Sequence, residues 1–292
     1  MIYKEDLRKE IMLENELSLK ANEIRKLVID MLYKIGPERR GHPGPALSIA
    51  EILACLYFSV MNTDSKNPKW PERDRLILSK GHACPALYAV LALKGYFEKE
   101  NLYTFRKVNS ILQGHPDMRK TPGIDMTAGS LGHGLAAGAG MALAGVMDRK
   151  KYKTYVIIGD GETQEGLIWE SAMYAGNMKL DNLVVIIDKN RFQSCGDVCC
   201  IVDVDPLDKK FMSFNWEVVK CNGHDISSLL EAFGTPHANK PLAIIAETVK
   251  GKGVSFMEED NSWHQKAITQ EQYETAMKEL HKKNSTPDQQ RN

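Results

Sequence analysis

An aspartate set between two glycines, Gly159-Asp160-Gly161, closes the apolar run Tyr155-Val156-Ile157-Ile158. Asn190 closes a second apolar run, Leu183-Val184-Val185-Ile186-Ile187, at an interval of 190 − 160 = 30 residues. An anionic oxygen and a neutral amide oxygen suit a hard cation such as Mg2+, which keeps few protein ligands and takes the rest from phosphate and water. Glycines flanking Asp160 let the backbone come close to a diphosphate, and a helix N-terminus behind them favours negative charge. The two residues meet only if both runs are parallel strands joined by a helix. Ile168, Trp169, Ala172, Met173, Ala175 and Gly176 do recur between them at helical spacing. Such a unit sets two strand ends side by side at the carboxyl edge of the sheet, where open α/β sheets bind ligands. Taken singly, a Gly-Asp-Gly or a strand-end Asn is usually only a turn; the conjunction at this interval is much rarer.

The rest of the chain supplies matching elements. A helical lead-in carries Leu17, Leu19, Ile24, Leu27, Val28, Met31 and Leu32 and ends near Gly36-Pro37. Ser48, with Glu51 three residues on, predicts an N-cap for a helix through Ala50, Ile52, Leu53, Leu56 and Tyr57. Strands are expected over residues 74–79, 216–221 and 242–248, and helices from Gly81-His82 to about Gly95 and over 226–233. Residues 110–134 read as loop. The run from Leu135 to Gly145 is nearly all small residues, a composition that costs helix propensity unless the helix packs closely on its neighbours. Alternating strands and helices predict an α/β fold: a mostly parallel central sheet with helices on both faces.

Composition narrows the function. Lysine plus arginine equals aspartate plus glutamate at 38 each, so no basic footprint for nucleic acid is present. No apolar stretch has membrane-spanning length, and the charged start Met1-Ile2-Tyr3-Lys4-Glu5-Asp6 lacks a signal-peptide core, which makes the cytoplasm the expected location. Six cysteines in a chain of 292 residues do not suggest a disulfide scaffold; Cys195, Cys199 and Cys200 read as plain thiols rather than a metal cluster. One domain spans 1–292, with the lead-in over about 1–36 and a polar, flexible tail over about 284–292.

The strand-GDG, helix, strand-Asn unit resembles the thiamine-diphosphate-binding motif. Gly41-His42-Pro43-Gly44, Lys80-Gly81-His82, Gly114-His115-Pro116, Gly129-Ser130-Leu131-Gly132, Gly159-Asp160-Gly161 and Asn190 stand in the order seen in transketolases. The resemblance runs from about residue 20 to about 265 and covers that family's N-terminal, diphosphate-binding half. It implies a thiamine-diphosphate-binding fold and two-carbon ketol transfer between sugar phosphates. It also implies thiamine diphosphate with Mg2+ as cofactors, Ca2+ or Mn2+ substituting. Asp160, Asn190 and the Phe192 carbonyl match the metal ligands. His82, Gly129, Ser130, Leu131, Gly159, Asp160, Gly161, Glu162, Asn190 and His264 match cofactor-contacting positions. His42, His82, His115 and His264 match active-site histidines, and Glu165 and Glu170 match acidic residues that link two cofactor sites across an interface. The expected partner is a C-terminal transketolase subunit with the pyrimidine-binding and C-terminal domains, in an α2β2 assembly inactive without it.

Three departures from the family pattern stand out. His264 lies in Ser262-Trp263-His264-Gln265 rather than Ser-His-Gly. Arg191 replaces the glycine that usually follows the metal-binding Asn, and Pro45-Ala46 follow His-Pro-Gly. Arg39-Arg40 beside that loop read as solvated charges, with anion recognition as the minority alternative. These changes leave the sugar open: pentose phosphate pathway substrates, or a branched or sulfonated sugar. Other thiamine enzymes, such as deoxyxylulose-phosphate synthase or a 2-oxoacid dehydrogenase α subunit, and a cofactor-holding module without turnover are the competing readings. The His-Pro-Gly and Gly-His-Pro words favour transketolase over the two enzymes, and the retained Asp160/Asn190 pair and histidines argue against the module.

Overall fold

A computed structural model describes residues 2–282; the expected tail at 284–292 lies outside them. In chain order the main elements are α1 (Ile2–Lys34), α2 (Pro43–Leu47), α3 (Ala50–Cys55), β1 (Arg75–Leu78), α4 (Cys84–Lys94), α5 (His133–Met147), β2 (Thr154–Gly159), α6 (Gly166–Asn177) and β3 (Leu183–Lys189). There follow the short hairpin β4 (Phe192–Gln193) and β5 (Gly196–Asp197), then α7 (Val198–Ile201), α8 (Leu207–Ser213), β6 (Glu217–Asn222), α9 (Ile226–Phe233), β7 (Leu242–Glu247) and α10 (Gln270–Lys282).

Five strands form one parallel sheet in the order β1-β2-β3-β7-β6. The inner strands are continuous apolar runs because both of their faces are covered. Successive side chains alternate between faces. Ile157, Val184, Ile186 and Ile244 point into a core built with α1, α3, α4, α9 and α10. Val156, Ile158, Val185, Ile187 and Ile245 point into a second core with α5, α6 and α8. The edge strand β6 is only half covered and carries Glu217 and Lys220, charges that discourage edge pairing. The expected fold class is the observed one. No helix among the described residues is long and apolar enough to cross a membrane.

The small-residue helix owes its composition to close approach. A Cβ on Gly134 would lie 2.3 Å from Ser79, and one on Gly138 would lie 2.4 Å from Val156, whereas Gly140 faces open space. Gly138→Ala is therefore expected to lower the unfolding free energy by about 1–3 kcal/mol through overpacking. Gly140→Ala should raise it by about 0.5–1 kcal/mol through helix propensity. Chemical denaturation of both variants checks the opposite signs; two changes of the same sign would remove close packing as the reason for the glycines.

The Ser48 expectation needs correction. The stretch after His42 is already helical as α2, Ser48 follows that helix, and the N-cap of α3 is Ile49. Ser48 is drawn inward instead, its hydroxyl donating to the Asp188 carboxylate (2.9 Å) and lying 3.1 Å from the Pro45 carbonyl oxygen. The helix begun at Ala50 ends in a π-turn over Leu56–Val60. Leu19, counted in the α1 stripe, is exposed.

Candidate active site

All five strands run the same way, so their carboxyl ends form one row. Ser79-Lys80, Asp160, Asn190, Thr248 and His224 follow β1, β2, β3, β7 and β6. Along this edge lies a cavity of about 350 Å3 lined by His42, Lys80, His82, Gly129, Leu131, Gly159, Asp160, Gly161, Glu162, Glu165, Asn190, Phe192, Gln193 and His264, among others. A roomier groove sits at the opposite, amino ends of the strands, beside Asp74, Tyr152 and Phe233. Its buried carboxylate, Asp74, is already taken up by the backbone N–H groups of Asn62 and Lys153. Chemistry therefore concentrates at the carboxyl edge.

Asp160 is tied to the turn after β3. Its Oδ2 accepts from Arg191 N (2.6 Å) and its Oδ1 from Gly161 N (2.8 Å). Arg191 sits at φ +70°, the left-handed conformation that favours glycine, and its side chain pairs with Glu247 at 3.1 Å. A side chain in that conformation costs the backbone about 1–2 kcal/mol relative to glycine. Asn190 Nδ2 donates to Asp188 Oδ2 (2.5 Å) and its Oδ1 accepts from Phe192 N (3.1 Å), which orients the amide.

Two buried carboxylates here are pushed apart. Burial acts to raise Asp188, but the Lys80 ammonium at 2.5 Å, Thr248 and Asn190 hold it below the usual carboxylate range. Burial and the Asp188 charge raise Asp160 to about 7 despite its two backbone donors. Among the described residues Asp160 is in no ion pair, so a bound cation would be what favours its ionised form. With the Asn190 amide oxygen Asp160 makes an oxygen-only donor set that fits a hard divalent cation. Glu162 is raised by burial and braces three loops, accepting from Ser79 Oγ, from Gly132 N (2.8 Å) and from Gly159 N (3.0 Å).

Three histidines meet on the other side of the cavity. The ring centroids of His42, His82 and His264 lie 5.2, 5.5 and 5.1 Å apart pairwise. An antiparallel bridge between Gly41 and Lys266 brings the first and last together, and Lys80 Nζ reaches the Pro45 carbonyl at 2.9 Å to pin the His42 segment. Burial, then neighbouring positive charge, lowers His42 to about 4, His264 to about 3, and His82 well below its ordinary value. At neutral pH each ring is uncharged and offers one donor and one acceptor.

His115 stands outside this triangle, exposed, with its ring 3.9 Å from where a Gly129 Cβ would lie. Ser130 is exposed and does not line the cavity, whereas Leu131 does. Glu165 is exposed at the cavity mouth and Glu170 is exposed on α6. Lys80, though part of the Lys80-Gly81-His82 word, was not singled out as a site residue, and neither were Asp188 and Lys250. Lys250 is buried, its Nζ donating to Asn261 Oδ1 (2.6 Å) and lying 2.9 Å from His264 Nδ1; burial and Lys80 lower it to about 8. The available signal for Lys80 was a lysine between a strand end and Gly-His, where a solvated charge would be out of place.

Comparison with known proteins agrees with this geometry. Residues 17–287 match the family described as transketolase, thiamine diphosphate binding domain. The chain is 47% identical over 269 residues to a 6-deoxy-6-sulfo-D-fructose transketolase subunit of Clostridium sp. (strain MSTE9), covering 91% of this chain and 97% of that protein. It is 42% identical over 266 residues to an apulose-4-phosphate transketolase subunit of Phocaeicola vulgatus, covering 90% and 93%. The crystal structure of Campylobacter jejuni transketolase superposes with a TM-score of 0.84 at 33% identity, covering 91% of this chain and 42% of that one. The sheet, the strand-end site and these matches together place the chain in the transketolase family, as its thiamine diphosphate binding domain.

Proposed function

We propose that this chain is the diphosphate- and metal-holding subunit of a split transketolase, which moves a two-carbon ketol unit from a ketose to an aldose when a second polypeptide completes the site. The observation that carries this reading is the convergence of Asp160, Asn190 and three uncharged histidines on one cavity at the sheet's carboxyl edge. It is supported by two relatives, matched over more than nine-tenths of their length, that are themselves named as transketolase subunits. The partner would be a C-terminal subunit in an α2β2 assembly in the cytoplasm, and the whole chain would act as one domain.

In this reading Asp160, the Asn190 amide oxygen and the Phe192 carbonyl hold Mg2+, for which Ca2+ or Mn2+ can substitute. His82, Gly129, Leu131, Gly159, Gly161, Glu162 and His264 border the cofactor, and Ser130, exposed beside the cavity, would reach it from the rim. Thiamine diphosphate, when bound, supplies the nucleophilic carbon and the electron sink that ketol transfer requires. His42, His82 and His264, neutral at working pH, accept or donate protons at sugar hydroxyls, and His115 serves the rim. Glu165 and Glu170, exposed on this chain, would meet their counterparts in the assembly and link two cofactor sites.

The substrates are anionic sugars. Xylulose 5-phosphate and ribose 5-phosphate are the first pair to test. A dedicated sugar is the second reading, favoured by the two relatives named for sulfofructose and apulose 4-phosphate. The test is a coupled assay with thiamine diphosphate and Mg2+, on the chain alone and mixed with a C-terminal transketolase subunit from the same organism. Ketol transfer only in the mixture is the expected result. Robust transfer by the chain alone would overturn the split-enzyme reading. Cofactor binding by the mixture without turnover of the pentose phosphates would move the assignment to the dedicated sugar.

A further inference from the structure

A relay of three side chains, Arg25 and Glu51 buried and His224 partly buried, runs beside the site. Arg25 on α1 clasps Glu51 on α3 through two bonds, of 2.7 and 2.6 Å. Burial acts to raise Glu51, but Arg25 and His224 outweigh it and hold the carboxyl down at about 2. His224, in the loop after β6, has Nδ1 at 3.0 Å from Glu51 Oε2, and its Nε2 accepts from Val249 N at 2.7 Å. Because a backbone N–H can only donate, Nε2 is unprotonated, and Nδ1 carries the hydrogen donated to Glu51. At the other end, Arg25 Nε donates to the Lys252 carbonyl at 2.8 Å. Both arms of the relay therefore end on backbone flanking Lys250.

An ion pair that only stapled α1 to α3 would be complete with Arg25 and Glu51. Arg25 also donates to the Leu47 carbonyl of α2 at 3.3 Å, while the contacts to Lys252 and Val249 reach beyond these helices and grip the segment after β7. Arg25 also lies in the space a Cβ on Gly253 would take, at 2.7 Å, and Gly251 N donates to Gly44 O at 3.1 Å. The held residue, Lys250, points its Nζ between Asn261 Oδ1 at 2.6 Å and His264 Nδ1, and a lysine ammonium has only hydrogens to offer. Its contact with His264 at 2.9 Å thus makes Nδ1 the accepting nitrogen and leaves the ring proton on Nε2.

We propose that Arg25, Glu51 and His224 are positioning residues for the active site: by anchoring Val249 and Lys252 they fix Lys250, and through it the tautomer and pose of His264. The consequence for catalysis rests on the functional reading above, in which His264 borders the cofactor; the tautomer itself does not.

His224→Gln and His224→Asn separate positioning from stability. A Gln amide reaches the place of Nε2 and can accept from Val249. An Asn amide reaches only the place of Nδ1, so it keeps the Glu51 contact and leaves Val249 unpaired. In the assembled complex, His224→Gln is expected to stay within about threefold of the parent in kcat and cofactor affinity. His224→Asn should lose roughly 10–100-fold, the range for removing a partner that orients a working ligand. The 15N shifts of His264 in the full-length chain should report a single Nε2-protonated ring in the parent and His224→Gln, and a tautomer mixture in His224→Asn and Lys250→Met. Unchanged His264 shifts in His224→Asn and Lys250→Met would overturn the proposal. So would equal losses in the Gln and Asn variants that simply track their thermal midpoints. If the parent complex neither binds thiamine diphosphate nor transfers a ketol unit, the functional reading fails, and the 15N shifts still decide the relay.

Discussion

Replacing Asp160 by alanine is expected to weaken Mg2+-dependent thiamine diphosphate binding by the assembled complex by about 100-fold or more. Partners that merely orient a metal's ligands are worth about 10–100-fold, so loss of an oxygen ligand itself belongs at or above the top of that range. The carboxylate is buried beside Asp188 and titrates at about 7. A cation binds only its ionised form. As pH falls below 7 the proton competes, and apparent cation affinity should decline by about tenfold per unit. Above 7 it should level off. Calorimetric titrations of the parent and Asp160→Ala at several pH values check both effects. Unchanged cofactor affinity in the variant would remove Asp160 from the metal site, and a flat pH profile in the parent would mean that the carboxyl does not titrate where its surroundings put it.

The second large effect concerns stability. Lys80 and Asp188 form a buried pair at 2.5 Å at the cavity floor, which Lys80 helps to line. Lys80→Met would leave the Asp188 charge without its cation. Breaking one side of such a pair costs about 3–5 kcal/mol, a large fraction of the stability of a typical domain. Chemical denaturation should show this loss in the single variant. The double variant Lys80→Met/Asp188→Asn should recover part of it, because Asn carries no charge and its oxygen can still accept from Thr248 or Ser48. A loss below about 1 kcal/mol in the single variant, the scale of an exposed pair, would mean that water reaches Asp188 and that the pair does not hold the floor together.

Much of the fold was legible because its signals are local. The apolar, Val- and Ile-rich runs at 155–158 and 183–187 could hardly be other than buried strands, and helix α9 falls on the expected residues 226–233. Gly36 and Gly95, both at positive φ, end α1 and α4 where glycine punctuation suggested. Ser48 was misread because a Ser followed three residues later by Glu looks the same whether its hydroxyl caps a helix or reaches a carboxylate 140 positions away. The same limit hid Lys80 and Lys250. A lysine reads as surface until the acceptors around it are known, and those acceptors come from other strand ends. Glycine and proline mark the loops of Asp160, His42, His82 and His115, Asn190 closes an apolar strand, and His264 was singled out only through the family resemblance. Their order along the chain said nothing of which three rings would touch, or that His115 would stand apart from them.

The parallel register carries one more consequence. Gly159 pairs with Asp188, Asp188 with Ala246 and Lys189 with Glu247, so the site residues leave the sheet from a common level. What the chemistry requires is that level, not the interval of 30 along the chain. Lengthening the crossover through α6 by a helical turn would leave Asp160 facing Asn190. A single residue inserted within β3 would lift Asn190 by about 3.3 Å and turn every following side chain to the opposite face. Insertions and deletions among descendants of this chain should therefore accumulate in the crossovers and on the amino side of the sheet. The five strands themselves should hold their lengths even where nearly every side chain in them has changed.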